Sequence, residues 1–309
     1  MNDATPPADS PRVPRGKPRN PAELVRSLAR KDFFEQYPAV DFGPVVALIA
    51  AYEEEANIGE VLDKMPSDVD GLRVTPLVVV DGGEDGTEVE VRRRGVYCCA
   101  LPINMGHGVA LKIGYELAVD SGAWYIVTLD ADGQNDPQEM KALLEPLISG
   151  EADFVIGSRT LGVDHTTDRM RKAGVRFFGL VISKLIHNRL TDTSNGYRAL
   201  KSQVLRDVTL EQTQYQTAEL IISAGMHGWR IVDRPITWYP RASGITKKGT
   251  NLLFGVNYAR VVLGTWRRER RRQGTRSIAP VNRVSHPRPE RQFPPRGHGL
   301  RRRRPEGTV

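Results

Sequence analysis

The sequence has almost no cysteine. Of 309 residues only Cys98 and Cys99 are cysteines, and they are adjacent. Neighbouring cysteines cannot staple distant parts of a chain, so a disulfide framework is excluded, and no Cys/His cluster has zinc spacing. Both fall in an expected strand and read as buried thiols, which fits a reducing compartment. No run of about 18 apolar residues occurs, so no transmembrane helix is expected. The N-terminus lacks the apolar stretch of a signal peptide. Three enzyme signatures are also missing. There is no Walker A loop, no intact GxGxxG after the first strand and no GxSxG elbow. That disfavours P-loop NTPases, nicotinamide enzymes and α/β-hydrolases. No internal repeat is visible.

The charge is unevenly placed. The chain carries +7 overall, but positions 267–309 hold 14 Arg and 3 Glu, which leaves about −4 for the rest. The globular part is mildly acidic and the basicity belongs to a tail. Residues 1–40 are rich in Pro, Arg and Ser, with one helical-looking piece at 21–31, and are expected to form a weakly ordered extension. The expected organisation is a catalytic domain over 41–249, an amphipathic segment over 250–272 and an Arg/Pro-rich disordered tail over 273–309.

Between the ends, apolar runs alternate with helical patterns. Strands are predicted at 44–51, 77–80, 96–100, 124–129 and 153–157, with one or two more over 229–239. Helices are predicted at 58–65, 87–94, 109–121, 138–147, 170–188 and 219–225. Such alternation implies a doubly wound, mainly parallel α/β sheet. Ligands bind such sheets at the carboxyl ends of the strands. Four polar loops leave those ends, at 52–57, 81–87, 104–108 and 130–134, and together predict an acidic, glycine-rich crevice. Asp81 could accept hydrogen bonds from a base or ribose, and Gly106 and Gly108 would admit a ligand close to the backbone.

The central loop carries the chemistry. The apolar stretch 126–129 runs into Asp130-Ala131-Asp132-Gly133-Gln134. Residues two apart on an extended segment point the same way, and two carboxylates aimed at one point call for a cation. Gln134 adds a neutral oxygen, and such hard ligands suit Mg²⁺ or Mn²⁺. Taken alone, a DxD is more often an ordinary loop, and Asp136-Pro137 caps the following helix in either case.

The ordered series AAYEEEANI, VVVDGGEDGT, NMGHGVALKIGYE, DADGQNDP, GSR, SNGYRALK and PRASGITKK resembles the family-2 glycosyltransferases of GT-A fold. The branch it most resembles is the dolichyl- or polyprenyl-phosphate mannose synthases. The resemblance implies a Rossmann-like, three-layer α/β/α catalytic domain. It implies inverting transfer of a hexose, mannose first, from a nucleotide diphosphate sugar, GDP-mannose or a UDP-sugar, to a polyprenyl phosphate. By the same resemblance Asp130, Asp132 and Gln134 are metal ligands, and Tyr52, Glu54, Asp81, Gly106, Asp130, Ala131, Arg241 and Lys247 bind the donor. Asp132 and Arg241 are the catalytic pair, and Arg159 and Arg171 hold the acceptor phosphate. Glu53, His107 and Val80 stand where the family usually has Asn, Lys and Asp, so base and sugar stay open.

A phosphate acceptor is already ionised and needs only positioning by arginine, whereas a hydroxyl acceptor needs a general base. Segment 252–266, with the arginines behind it, reads as an interfacial anchor on an anionic membrane or as a helix packed on the domain. The expected location is the cytoplasm, peripheral on the membrane face. Two other readings remain: the same fold glycosylating a soluble acceptor, and a basic-tailed nucleic-acid-binding protein on a degenerate catalytic fold. The intact DADGQ and RASGITK argue against the last, so no specific nucleic acid is expected.

Overall fold

The computed structural model describes residues 21–166, 168–241 and 251–275. Lys247 and the tail beyond 275 lie outside the described residues. The elements run α1 (Pro21–Gln36), β1 (Val45–Ala51), α2 (Glu55–Asp63), β2 (Asp68–Val69), β3 (Leu72–Val80), α3 (Thr87–Arg93), β4 (Tyr97–Ala100), α4 (His107–Asp120) and β5 (Tyr125–Asp130). A 3₁₀ turn, Pro137–Glu139, then leads into α5 (Met140–Ile148), β6 (Phe154–Asp164), α6 (Arg169–Ile186), β7 (Arg198–Lys201), α7 (Ser202–Asp207), α8 (Gln216–Met226), β8 (Ile231–Trp238) and α9 (Asn251–Thr275).

The strands form one mostly parallel sheet in the order β4-β3-β1-β5-β7-β6-β8, with the short β2 folded back on β3. All seven residues of β1 are buried, as expected of a central strand covered on both faces. β1 lies between β3 and β5, and the register sets Ala51 against Val80 and Ala50 against Asp130. The loops after β1, β3 and β5 therefore leave at one edge. β6 and β8 are parallel to each other, so β8 also delivers its end to that edge.

Three expectations are corrected and one open reading is decided. The helical piece at 21–31 continues to Gln36, and it buries Ala29 and Phe33. Phe33 lies within 6.4 Å of the rings of Tyr37, Phe42 and Tyr97, and these aromatic contacts attach the helix to the domain. Residues 160–164, expected as loop, continue β6 past a register shift and pair with β8. Residues 198–201, expected only as part of a compact polar stretch, are β7, an antiparallel insert between β5 and β6. Of the two readings of the segment at 252–266, the packed helix is the one observed, because α9 docks on the domain. Tyr258, Val262, Thr265 and Glu269 are buried along one face of α9 at helical spacing. Arg268 pairs with Glu219 on α8 at 2.7 Å and with Glu269 at 2.9 Å. No helix among the described residues is long and apolar enough to cross a membrane.

Candidate active site

Asp130 ends β5, and Asp132 follows where the strand gives way to a turn. The carboxyl of Asp132 is pushed up to about 6, first by burial and then by the neighbouring Asp130. Arg241 opposes that shift and Glu54 adds to it, so all four charged groups share one locality. A buried carboxylate raised by a neighbouring carboxylate in this way fits a hard divalent cation, which relieves the repulsion. Ala131 between them is buried in the core, so any donor contact it makes falls to its backbone. Gln134, expected as a third ligand, donates its amide nitrogen to the Tyr239 carbonyl at 3.1 Å. The Gln134 backbone carbonyl accepts from the Tyr239 backbone N–H at 2.9 Å. Gln134 therefore ties the end of β8 to the aspartate loop.

That tie positions Arg241. Two residues beyond Tyr239, its guanidinium forms an ion pair with Glu54, which starts α2 after β1. Glu54 is itself held, because its Oε2 accepts from the Asn57 amide at 2.7 Å and its backbone N–H donates to Thr87 Oγ1 at 2.8 Å. Two of the expected donor residues, 187 positions apart in sequence, thus meet across the crevice. Tyr52 sits half-buried beside them.

Asp81 and Gly106 also come together, but through each other. Asp81 is 2% exposed and accepts from the N–H groups of Met105 at 2.7 Å and Gly106 at 2.9 Å. Burial raises its carboxyl pKa, and those two N–H groups oppose the rise. It braces the loop before α4, with both oxygens already engaged by backbone. The close backbone approach expected at Gly106 and Gly108 is made to Thr213. The Gly108 N–H donates to the Thr213 carbonyl at 2.9 Å, and a Cβ on Gly108 would sit 2.6 Å from that oxygen.

Arg159 and Arg171 converge on Trp238, a partner the sequence did not single out. The Arg159 guanidinium lies 4.8 Å from the centre of the Trp238 ring and that of Arg171 5.8 Å. Arg159 is 9% exposed. Its Nε and Nη2 grip Asp192 at 2.7 and 2.9 Å, and Nη2 also donates to Ser194 at 2.7 Å. Nε and Nη2 are thus engaged inside the protein, which leaves Nη1 as the group through which the expected acceptor-phosphate role would act. Arg171 is more accessible. Asp168 caps the start of α6, its Oδ1 accepting from the Arg171 backbone N–H at 2.9 Å, and the Arg171 side chain reaches Asp164 and Thr166. Burial lowers its pKa and Arg159 lowers it further, a crowding of like charge that an anion would relieve. Asp192 and Trp238 were missed as site residues. Both lie beside quoted motifs, but the pairing of β6 with β8 brings Trp238 to Arg159, and the loop before β7 brings Asp192.

The sequence model described as "Glycosyl transferase family 2" matches residues 46–209. The chain belongs to that family. It is 31% identical over 206 residues to the dolichyl-phosphate hexose transferase of Haloferax volcanii, covering 67% of this chain and 87% of the relative. It is 29% identical to the undecaprenyl-phosphate mannosyltransferase of Micrococcus luteus, covering 66% and 86%. Glucosyl-3-phosphoglycerate synthase from Mycobacterium tuberculosis, solved with Mn²⁺, uridine diphosphate and phosphoglyceric acid, superposes with a TM-score of 0.57 at 18% identity, covering 78% of this chain and 82% of that one. The architecture is the GT-A fold.

Proposed function

We propose that the protein moves a hexose, mannose first, from a nucleotide diphosphate sugar to a polyprenyl phosphate with inversion. The observation that carries this reading is the meeting of Asp130, Asp132, Glu54 and Arg241 at the carboxyl edge of the sheet, beside the paired arginines over Trp238. Asp130 and Asp132 would hold Mg²⁺ or Mn²⁺, whose chemistry is to stabilise negative charge on the departing diphosphate. Arg241 leaves Glu54 for the same diphosphate and supports that charge from the β8 side. Asp81 keeps the loop at 104–106 in place for the nucleoside. The acceptor phosphate oxygen needs no base and attacks the anomeric carbon as the sugar–diphosphate bond breaks. Arg171 positions that phosphate, and Arg159, locked to Asp192, holds the Trp238 floor on which Arg171 rests.

The membrane contact belongs to α6 on this reading. Met170, Phe177 and Leu180 on that helix, with Leu161 and Val163 on the β6 extension, are between 50 and 70% exposed. Exposed Arg176 and Lys184 flank them. An apolar strip with cations beside it matches an anionic bilayer surface, where each basic group adds about 1 kcal/mol. The location proposed is therefore peripheral, on the cytoplasmic face.

The test is transfer of radiolabelled sugar from GDP-mannose and from UDP-glucose to dolichyl phosphate, undecaprenyl phosphate and soluble hydroxyl compounds. Product on a polyprenyl phosphate is expected. Product on soluble acceptors alone would replace this reading by the soluble-acceptor one.

A further inference from the structure

β5 and β7 run antiparallel with Thr128 opposite Arg198. Side chains alternate along a strand, so Thr128 and Asp130 share the face of the sheet that Arg198 occupies. Arg198 is 2% exposed. Its Nε donates to the Asn195 carbonyl at 2.6 Å and its Nη1 to the Thr217 carbonyl at 3.1 Å. Its Nη2 has no hydrogen-bond partner among the described residues, and neither has Oε1 of the buried Gln216. Arg198 and Gln216 face a cavity of about 10 Å³ that Tyr115, Thr128, Asp130 and Gly196 also line. That is the room of one water molecule. On the far side Gly196 leaves space for the carboxylate, since a Cβ there would lie 2.7 Å from Asp130 Oδ1. A buried guanidinium held only by carbonyls is costly unless a negative charge lies near, and Asp130 and Asp192 are the carboxylates acting on it.

We infer that Arg198 is a positioning residue behind Asp130, a fixed positive charge that keeps the aspartate pair from holding a divalent cation unless a nucleoside diphosphate is bound with it. The inference rests on the reading of Asp130 and Asp132 as cation ligands. Glu54, Asp130 and Asp132 bring three negative charges and Arg241 and Arg198 two positive ones, and the Arg159–Asp192 pair beside them cancels, which leaves a net charge of about −1. One divalent cation by itself would reverse that sign. A diphosphate brings several negative charges and restores it, and it also draws Arg241 away from Glu54. Arg198 cannot move, because it is clamped by two carbonyls between β7 and α8. It acts through its charge on Asp130 and touches no substrate.

Mn²⁺ binding to the full chain, followed by calorimetry and by electron paramagnetic resonance with and without GDP or UDP, tests this. Arg198→Met is expected to bind Mn²⁺ at least tenfold more tightly than the wild type when no nucleotide is present. Arg198→Lys, which keeps the charge, should behave as the wild type. A folded Arg198→Met protein with unchanged or weaker Mn²⁺ affinity would overturn the inference. Should that variant fail to fold, Gln216→Glu places a compensating charge across the same cavity, and it too must tighten nucleotide-free Mn²⁺ binding. Wild-type protein that takes up no Mn²⁺ even with nucleotide would remove the cation reading, and this inference with it.

Discussion

Arg159 and Asp192 form a bidentate ion pair, at 2.7 and 2.9 Å, in which the carboxylate has no exposed surface. The guanidinium beside it holds the Asp192 carboxyl below the usual range against a large burial penalty. Removing one partner of such a pair strands a buried charge. Arg159→Ala is therefore expected to lower stability by about 3–5 kcal/mol, read as a shift in the denaturant midpoint. Arg171→Ala, with its more exposed side chain, should cost under about 1 kcal/mol. The acceptor is thus tested at Arg171. Its alanine variant should raise the KM for polyprenyl phosphate at least tenfold while donor binding, followed by fluorescence, stays unchanged.

Arg241→Ala should lower transfer by roughly 10²-fold at saturating donor, the usual loss when one preorganised charge stabiliser is removed. Glu54→Gln frees Arg241 from its resting partner and removes one negative charge from the crevice. Nucleoside diphosphate should bind to that variant more tightly than to the wild type, by calorimetry. Weaker binding would mean that Glu54 contacts the donor directly.

Asp132→Ala should abolish transfer without lowering stability. The Asp132 carboxyl is raised to about 6, so at pH 7.5 its ionised form opposes folding in the absence of a cation. The sign follows from linkage. A raised carboxyl costs stability above its folded pKa, and the cost fades as pH falls toward the unfolded value near 4. The metal-free variant should therefore be about 1 kcal/mol more stable than the wild type at pH 7.5, after allowance for solvent screening, and equal to it near pH 4. Added EDTA should stop transfer by the wild type.

Phe177→Ser combined with Leu180→Ser should release the protein from vesicles containing anionic lipid in a flotation assay. Both side chains are exposed, so the melting temperature should stay within a few degrees. Retention on vesicles would move the contact to another surface and return the Arg-rich tail to consideration.

Much of this was legible along the chain because it depends on neighbours in sequence. Apolar runs bounded by polar turns mark β1, β3, β4 and β5, and strand alternation places Asp130 and Asp132 at one edge. Asp136 caps the turn into α5 through its Oδ1, 2.9 Å from the Gln138 N–H, as the dipeptide predicted. These are local effects of backbone geometry and capping, and a single sequence records them.

The rest depended on which distant segments pack together. β7 has four residues and an antiparallel direction, and its strand character comes from slotting between β5 and β6. Segment 250–272 satisfies the pattern of an interfacial helix and of a packed one equally well. Burial of Tyr258 and Val262 against the domain resolves it. The family resemblance implies a phosphate ligand at Arg159, and its pairing with Asp192 appears only when β6 meets the loop before β7, 33 positions on. The residue types thus set which charges and hydrogen bonds this protein has to offer, whereas packing determined which were consumed within the fold and which were left for a ligand. A buried charge must find its partner wherever the chain brings one, and sequence order does not record that distance.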